Sequence, residues 1–248
     1  MIVRQAAHVL DLLEYFLRVK EPSNLTDISV AMGWPRSSTF NLLTTLSQRG
    51  FLYEPRPRGG YYPSPKWMSL VRGIAESEAL PEVLRAAVAG IAAVTAETVV
   101  VAAPAGTNVV FMYVVDSPAV VRFSAQIGDQ MPIHSTASGR ALLSQYSARE
   151  RAAILNKVTF ERRAGWPANA GKVEAELVRA QTRGWHENIG GVSADLCGVA
   201  LPFALPGRRL SVAVAGPIGR MRERIPQIAA TLKRELRRCA SEVGRPRC

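Results

Sequence analysis

The chain has 248 residues, 48% of them hydrophobic and 21% charged, enough for one large globular core or two ordinary ones. Its net charge of +11 suits a polyanionic partner, although much of the excess lies after Pro206, in Arg208, Arg209, Arg220, Arg222, Arg224 and the run from Lys233 to Arg238, which reads as a solvated helix face. Cys197, Cys239 and Cys248 fit no disulfide framework and no metal knuckle, so a reducing cytoplasm is expected. The apolar runs are too short to span a membrane, and an amphipathic start carrying Asp11 and Glu14 is no signal peptide.

Ala6, Val9, Leu10, Leu13, Phe16 and Leu17 recur at helical spacing and predict a helix from Arg4 to Val19. Glu21 to Asn24 is a turn. Leu25 to Phe51 then reads as two short helices around a tight bend. Thr26 is placed to cap the first and Leu25 to staple it, with Ile28, Ala31 and Met32 on its apolar face. Gly33 ends that helix and Pro35 opens the second, which runs to about Gln48. Leu42, Leu43 and Leu46 form the second helix's buried stripe. Arg36, Ser37, Ser38, Asn41, Thr45 and Gln48 lie mostly on the opposite side, which is short-chained, hydrogen-bonding and free of acids. Such groups can reach base edges and phosphates in a DNA groove. A solvated helix pair is the plainer alternative.

The segment after the helix pair favours DNA. Phe51 to Tyr53 and Tyr61-Tyr62 predict a hairpin whose turn, Arg56 to Gly60, carries Arg56 and Arg58. A basic hairpin after a helix pair looks like the wing of a winged helix, placed to touch the phosphate backbone. Pro65 then starts a linker helix with Trp67, Leu70, Val71 and Ile74 on its apolar side. Such a stripe can pair with its own copy or pack on a second domain. The expected domains are 1–64, a linker at 65–80, and 81–248.

Pro81 to Glu97 predicts a helix. Strands come next at Thr98 to Ala103 and Val109 to Val115, joined by a loop from Pro104 to Asn108, with a third strand at Val120 to Ala125. Ile127 to Pro132 is a loop. Helices are expected at Ser138 to Gln145, Ala148 to Leu155 and Gly171 to Arg183, the last closed by Gly184. Strands return at Val199 to Ala204 and Leu210 to Ala215, and a final helix runs from about Met221 to Val243. Hairpins with helices grouped between and after them indicate an α+β fold with an antiparallel sheet.

The segment Met131 to Leu143, MPIHSTASGRALL, resembles the loop-to-helix signature of IclR-type transcriptional regulators, usually close to LPLHATASGKALL. The winged helix before it, the Gly184-Trp185 pair and Val214-Ala215-Gly216-Pro217 agree in order. The resemblance implies a GAF-like effector-binding domain with a pocket at Phe123, Met131, Ala137, Ser138, Asn188, Cys197, Ala213 and Ala215. It also implies a homodimer or dimer of dimers on a palindromic duplex operator, with a small organic acid as effector and no cofactor, metal or membrane. Small-acid-binding members carry serines near positions 213 and 215, where this chain has alanines, so a larger, partly aromatic or apolar acid is expected. Many members have arginine where Asn41 stands, so the operator cannot be borrowed. Two other readings stay open. The second domain could only oligomerise. A hydrolase could use His134 with Ser138, drawing on His8, His186, Asp195 or Cys197, but no nucleophile elbow, HExxH or phosphate loop accompanies them.

Overall fold

A computed structural model describes residues 3–57, 59–77, 80–160 and 169–243; Arg58 and Cys248 lie outside the described residues. The chain divides into two compact units, Met1–Ala79 and Leu80–Cys248.

The first unit begins with α1 (Arg4–Val19), α2 (Leu25–Met32) and α3 (Arg36–Gln48). The buried face of α1 matches the expected one only in part, at Phe16 and Val9. Leu12, Tyr15 and Phe16 pack with Ile28, Leu43, Leu46 and Leu52, while Leu10 and Leu17 point to solvent. The helix carries two apolar sides, and periodicity alone does not say which one the core takes. Asn24, not Thr26, caps α2: its Oδ1 accepts from the N–H groups of Thr26 and Asp27 at 2.8 and 3.0 Å. Gly33 ends α2 with φ +65°, a left-handed conformation that costs glycine little. Pro35 sits just before α3 in extended geometry, so the helix proper starts at Arg36.

Strands β1 (Leu52–Tyr53) and β2 (Tyr62–Pro63) form the wing as an antiparallel pair, Leu52 opposite Pro63 and Tyr53 opposite Tyr62. A bridge between Ser23 and Tyr61 ties the wing to the turn before α2. Gly60 permits that approach: its φ is +87° and a Cβ there would sit 2.6 Å from the Ser23 carbonyl carbon. The linker helix α4 (Lys66–Ser77) belongs with this unit. Its first turn is anchored by Trp67, whose indole N–H donates to the Phe51 carbonyl at 2.9 Å.

The second unit opens with α5 (Glu82–Thr95). The strands β3 (Thr98–Ala105), β4 (Asn108–Val115) and β5 (Gln130–Pro132) come next, then the helices α6 (Ala137–Leu143), α7 (Ala148–Leu155) and α8 (Ala170–Arg183). The strands β6 (His186–Ile189), β7 (Leu196–Leu205) and β8 (Arg208–Pro217), the short α9 (Ile218–Met221) and the long α10 (Ile225–Val243) complete it. The six strands form one antiparallel sheet in the order β5-β4-β3-β8-β7-β6. Alternation along the strands splits the core into two layers. Val99, Val101, Val199, Leu201, Val212 and Val214 pack with α5 and α10. Val100, Ala102, Ala200 and Ala213 pack on the other side with α6 and the buried residues of α7 and α8.

The structure corrects four expectations. Val120 to Ala125 forms no strand, and Val120 and Val121 are 94% and 69% exposed. The open side of β4 is taken by β5, inside the segment expected to be a loop, so the β-branched run has no partner strand and its propensity is overridden. The β3–β4 connection is tight, with Ala105 opposite Asn108 and Gly106 at φ +63°. The last helix starts only at Ile225, after α9 and a 3-10 turn.

Candidate functional site

The two units each carry a candidate site. In the first, Arg36, Ser37, Ser38, Asn41, Thr45 and Gln48 are all exposed on α3, opposite buried Thr39, Leu43 and Leu46. Thr39, which periodicity did not single out, is drawn inward: its hydroxyl donates to the Pro35 carbonyl at 3.1 Å. The Arg36 guanidinium donates to the Thr26 hydroxyl at 3.0 Å, which holds it at the junction of the two helices. The Thr45 hydroxyl donates to the Asn41 carbonyl at 2.7 Å. Arg56 is exposed on the wing, where its carbonyl accepts from Gly59 N–H at 2.8 Å. The exposed α3 face therefore presents hydroxyl and amide groups and the held Arg36 guanidinium with no acidic side chain, while the wing exposes Glu54 beside Arg56.

In the second unit, a cavity opens on the α6 side of the sheet. It encloses about 60 Å³ of solvent-sized space within a recess of about 500 Å³ counted out to its open mouth. All eight positions named from the sequence border it: Phe123, Met131, Ala137, Ser138, Asn188, Cys197, Ala213 and Ala215. Sequence reasoning missed Val100, Phe111, Thr136, Val192, Leu196 and Gly198. Two of these depend on strand register, Val100 lying opposite Ala213 and Gly198 opposite Ala215, which no single-strand pattern reveals. Val192 and Leu196 come from an aperiodic stretch that carries no signal. Phe123 reaches the site although its segment is not a strand. Its ring meets Phe111 edge-on at 6.4 Å, and its carbonyl accepts from the Thr98 hydroxyl at 2.7 Å.

The signature segment is explained by close packing. Thr136 caps α6 by accepting from Gly139 N–H at 3.0 Å, and its own hydroxyl donates to the Pro132 carbonyl at 3.1 Å. Gly139 is required, because a Cβ there would lie 2.0 Å from the Ile133 carbonyl oxygen. Ser138 lines the cavity and its hydroxyl has no hydrogen-bond partner among the described residues. Asn188 is occupied at both ends: its amide N–H donates to the Ser135 carbonyl and its Oδ1 accepts from Gly191 N–H at 2.9 Å. It shapes the wall more than it offers free polar atoms. Cys197 borders the cavity but shares the α5 and α10 layer with Val199 and Leu201. Burial, with Glu187 nearby, pushes its thiol up to about 11, so it is no thiolate nucleophile at neutral pH.

The hydrolase arrangement is not assembled. His134 is buried, meets the Phe160 ring edge-on at 5.1 Å, and does not border the cavity that Ser138 lines. His8 stacks on Trp34 in the other unit. Burial, reinforced by Arg140 and Arg183, pulls His186 down to about 4 and keeps its ring neutral. Among the described residues no group of His, Cys, Asp and Glu is placed to hold a metal, and no helix is long and apolar enough to cross a membrane.

The family profile for the IclR helix-turn-helix domain matches residues 5–56, and that for the bacterial transcriptional regulator IclR C-terminal domain matches residues 74–245. The chain belongs to the IclR family of transcriptional regulators. It is 25% identical over 151 residues to the HTH-type transcriptional repressor AllR of Klebsiella pneumoniae, covering 61% of this chain and 56% of that one. The match thus spans little more than half of that curated relative. The Thermotoga maritima IclR structure superposes with a TM-score of 0.77 at 17% identity, over 98% of this chain and 99% of that one. An IclR homologue from Microbacterium hydrocarbonoxydans, solved with 4-hydroxybenzoate, gives 0.66 at 19% identity, over 94% and 99%. The last two likenesses establish the fold. The chain's relatives are regulators and not enzymes.

Proposed function

We propose that the chain is a dimeric, sequence-specific DNA-binding regulator whose operator affinity is set by an organic acid in the second unit's cavity. The observation that carries the DNA reading is the acid-free, exposed face of α3 beside a wing bearing Arg56. Arg36, Ser37, Ser38 and Asn41 would meet the major groove, with Thr45 and Gln48 further along it. Arg56 and Arg58 would contact phosphates. Self-association would use the exposed apolar stripes: Val3, Leu10 and Leu17 along α1 recur every seven residues, and Met68, Val71 and Ile74 mark α4. A two-fold dimer would engage half-sites about 34 Å apart, and pairs of dimers remain compatible with it. As a DNA-binding regulator it would work in the cytoplasm.

The cavity walls are apolar at Val100, Phe111, Phe123, Met131, Ala213 and Ala215, and Ser138 adds a hydroxyl with no partner among the described residues. That combination suits an acid with an aromatic or apolar body, as does the 4-hydroxybenzoate bound by a relative of the same fold. The enclosed space is smaller than the ~150 Å³ that holds benzene, so such a ligand would extend into the open recess. The effector can act only by binding two arrangements of the dimer unequally. Selecting bound fragments from genomic DNA should return a palindrome, and calorimetry should rank substituted benzoates above two- and three-carbon acids. Tightest binding by pyruvate or acetate would reject the effector class, and unselective recovery of fragments would reject the DNA reading.

A further inference from the structure

None of the residues bordering the cavity carries a charge. A carboxylate entering it would need a favourable potential from behind the walls. Arg140 lies two residues beyond Ser138 on α6 and is only 4% exposed. One of its terminal nitrogens donates to the carbonyls of His134 and Ser135 at 3.3 and 3.2 Å, and the other donates to the Glu187 carbonyl. The Ser135 carbonyl also accepts from Asn188, a cavity residue. One guanidinium therefore staples the loop before α6 to β6, and both segments build the cavity.

The hydrogen bonds of Arg140 all go to carbonyls, its buried Nε makes none, and among the described residues no carboxylate lies within ion-pair distance of it. Buried cations ordinarily need a counter-charge. The charges that act on it are those of Glu176, Glu187, Arg179 and Arg183. Both carboxylates are already engaged. Glu176 pairs with Arg179 at 2.7 Å and Arg183 at 2.9 Å, and Glu187 pairs with Arg183 at 3.1 Å. Arg179 is 64% exposed and screened by solvent, and His186 is neutral, so the buried guanidinium left without a carboxylate at ion-pair distance is that of Arg140. Burial lowers Arg140 to about 10, so it stays protonated at neutral pH.

We propose that Arg140 makes the cavity select anionic over neutral ligands, by fixing the Ser135 and Glu187 carbonyls and by leaving one unneutralised positive charge behind the wall. It is a positioning residue that touches no ligand. The inference rests on the effector reading above. The probes are 4-hydroxybenzoate and its neutral isostere 4-hydroxybenzamide, titrated calorimetrically into the full chain. The wild type should favour the acid by about ten-fold or more. Arg140→Lys should keep that preference. Arg140→Gln should weaken both probes as the staple is lost and weaken the acid by about ten-fold more, so that the preference disappears. Glu176→Gln should raise the acid-to-amide ratio, because it increases the excess charge; a purely structural cluster would lose affinity for both probes. If Arg140→Gln fails to fold, the Glu176→Gln ratio decides alone. Equal binding of acid and amide by the wild type, an unchanged ratio in Arg140→Gln, or a lower ratio in Glu176→Gln overturns the proposal. Binding of neither probe by the wild type removes the effector reading and this inference together.

Discussion

Replacing Gly139 by alanine tests how the signature segment holds the cavity together. The added methyl would sit 2.0 Å from the Ile133 carbonyl oxygen and 2.5 Å from its carbonyl carbon. Reaching an ordinary contact of roughly 3.5 Å requires a displacement of about 1.5 Å. The segment that must move is tethered on every side. Ile133 N–H donates to the Thr107 carbonyl at 3.0 Å, the Thr136 hydroxyl bonds Pro132, and Arg140 grips His134 and Ser135. Overpacking costs about 1–3 kcal/mol, and each strained or lost buried hydrogen bond adds about 1 kcal/mol. A total of about 3 kcal/mol is expected. For a unit of this size that corresponds to a drop in Tm of roughly 6–12 °C. Thermal unfolding by calorimetry reads it directly. Gly90→Ala is the control: its Cβ would meet nothing within 4 Å in the middle of α5, so it should stabilise by about 0.5–1 kcal/mol. A Gly139→Ala protein that melts within about 1 °C of wild type would refute the packing argument.

Asn24→Ala removes the cap of α2 and should cost the first unit about 1 kcal/mol, seen as a lower melting transition; no loss would mean the two bonds to Asn24 Oδ1 carry little. Asn41→Ala should weaken binding to the selected operator by about 1–3 kcal/mol and relax one base position. Arg56→Ala should weaken binding to all duplexes alike and reduce the salt slope by about one. His186 has a folded pKa near 4 against an ordinary 6.5. Between those values the unfolded chain binds more protons, so stability should fall as pH drops from about 6.5 to about 4. His186→Asn should flatten that part of the curve in urea titrations. Cys197, with its thiol near 11, should resist iodoacetamide at pH 7.5 in peptide mapping of the native protein; rapid labelling would contradict its burial.

Much of the fold was legible because it rests on local chemistry. Arg4 to Val19 was bounded by periodicity, and Ala148 to Leu155 forms at its expected bounds, opened by a capping box between Ser147 and Glu150. Gly33 and Gly184 end helices at φ +65° and +86°, where glycine is favoured. The failures share a cause. Whether Val120 to Ala125 pairs depends on which segment reaches β4 first, a non-local competition that β5 takes. The buried face of α1 likewise depends on partners elsewhere. In the cavity, the resemblance supplied the eight bordering positions, while Val100 and Gly198 waited on sheet register. Arg140 escaped notice because nothing in an arginine beside a helix start says that its charge is buried.

The most direct test compares the full chain's affinity for its genomically selected operator with that for a shuffled duplex of equal length and composition, by fluorescence anisotropy at fixed salt. The account predicts that the operator binds on the order of 10³-fold tighter or more, with that advantage reduced in Asn41→Ala. Equal affinity for both duplexes would contradict it.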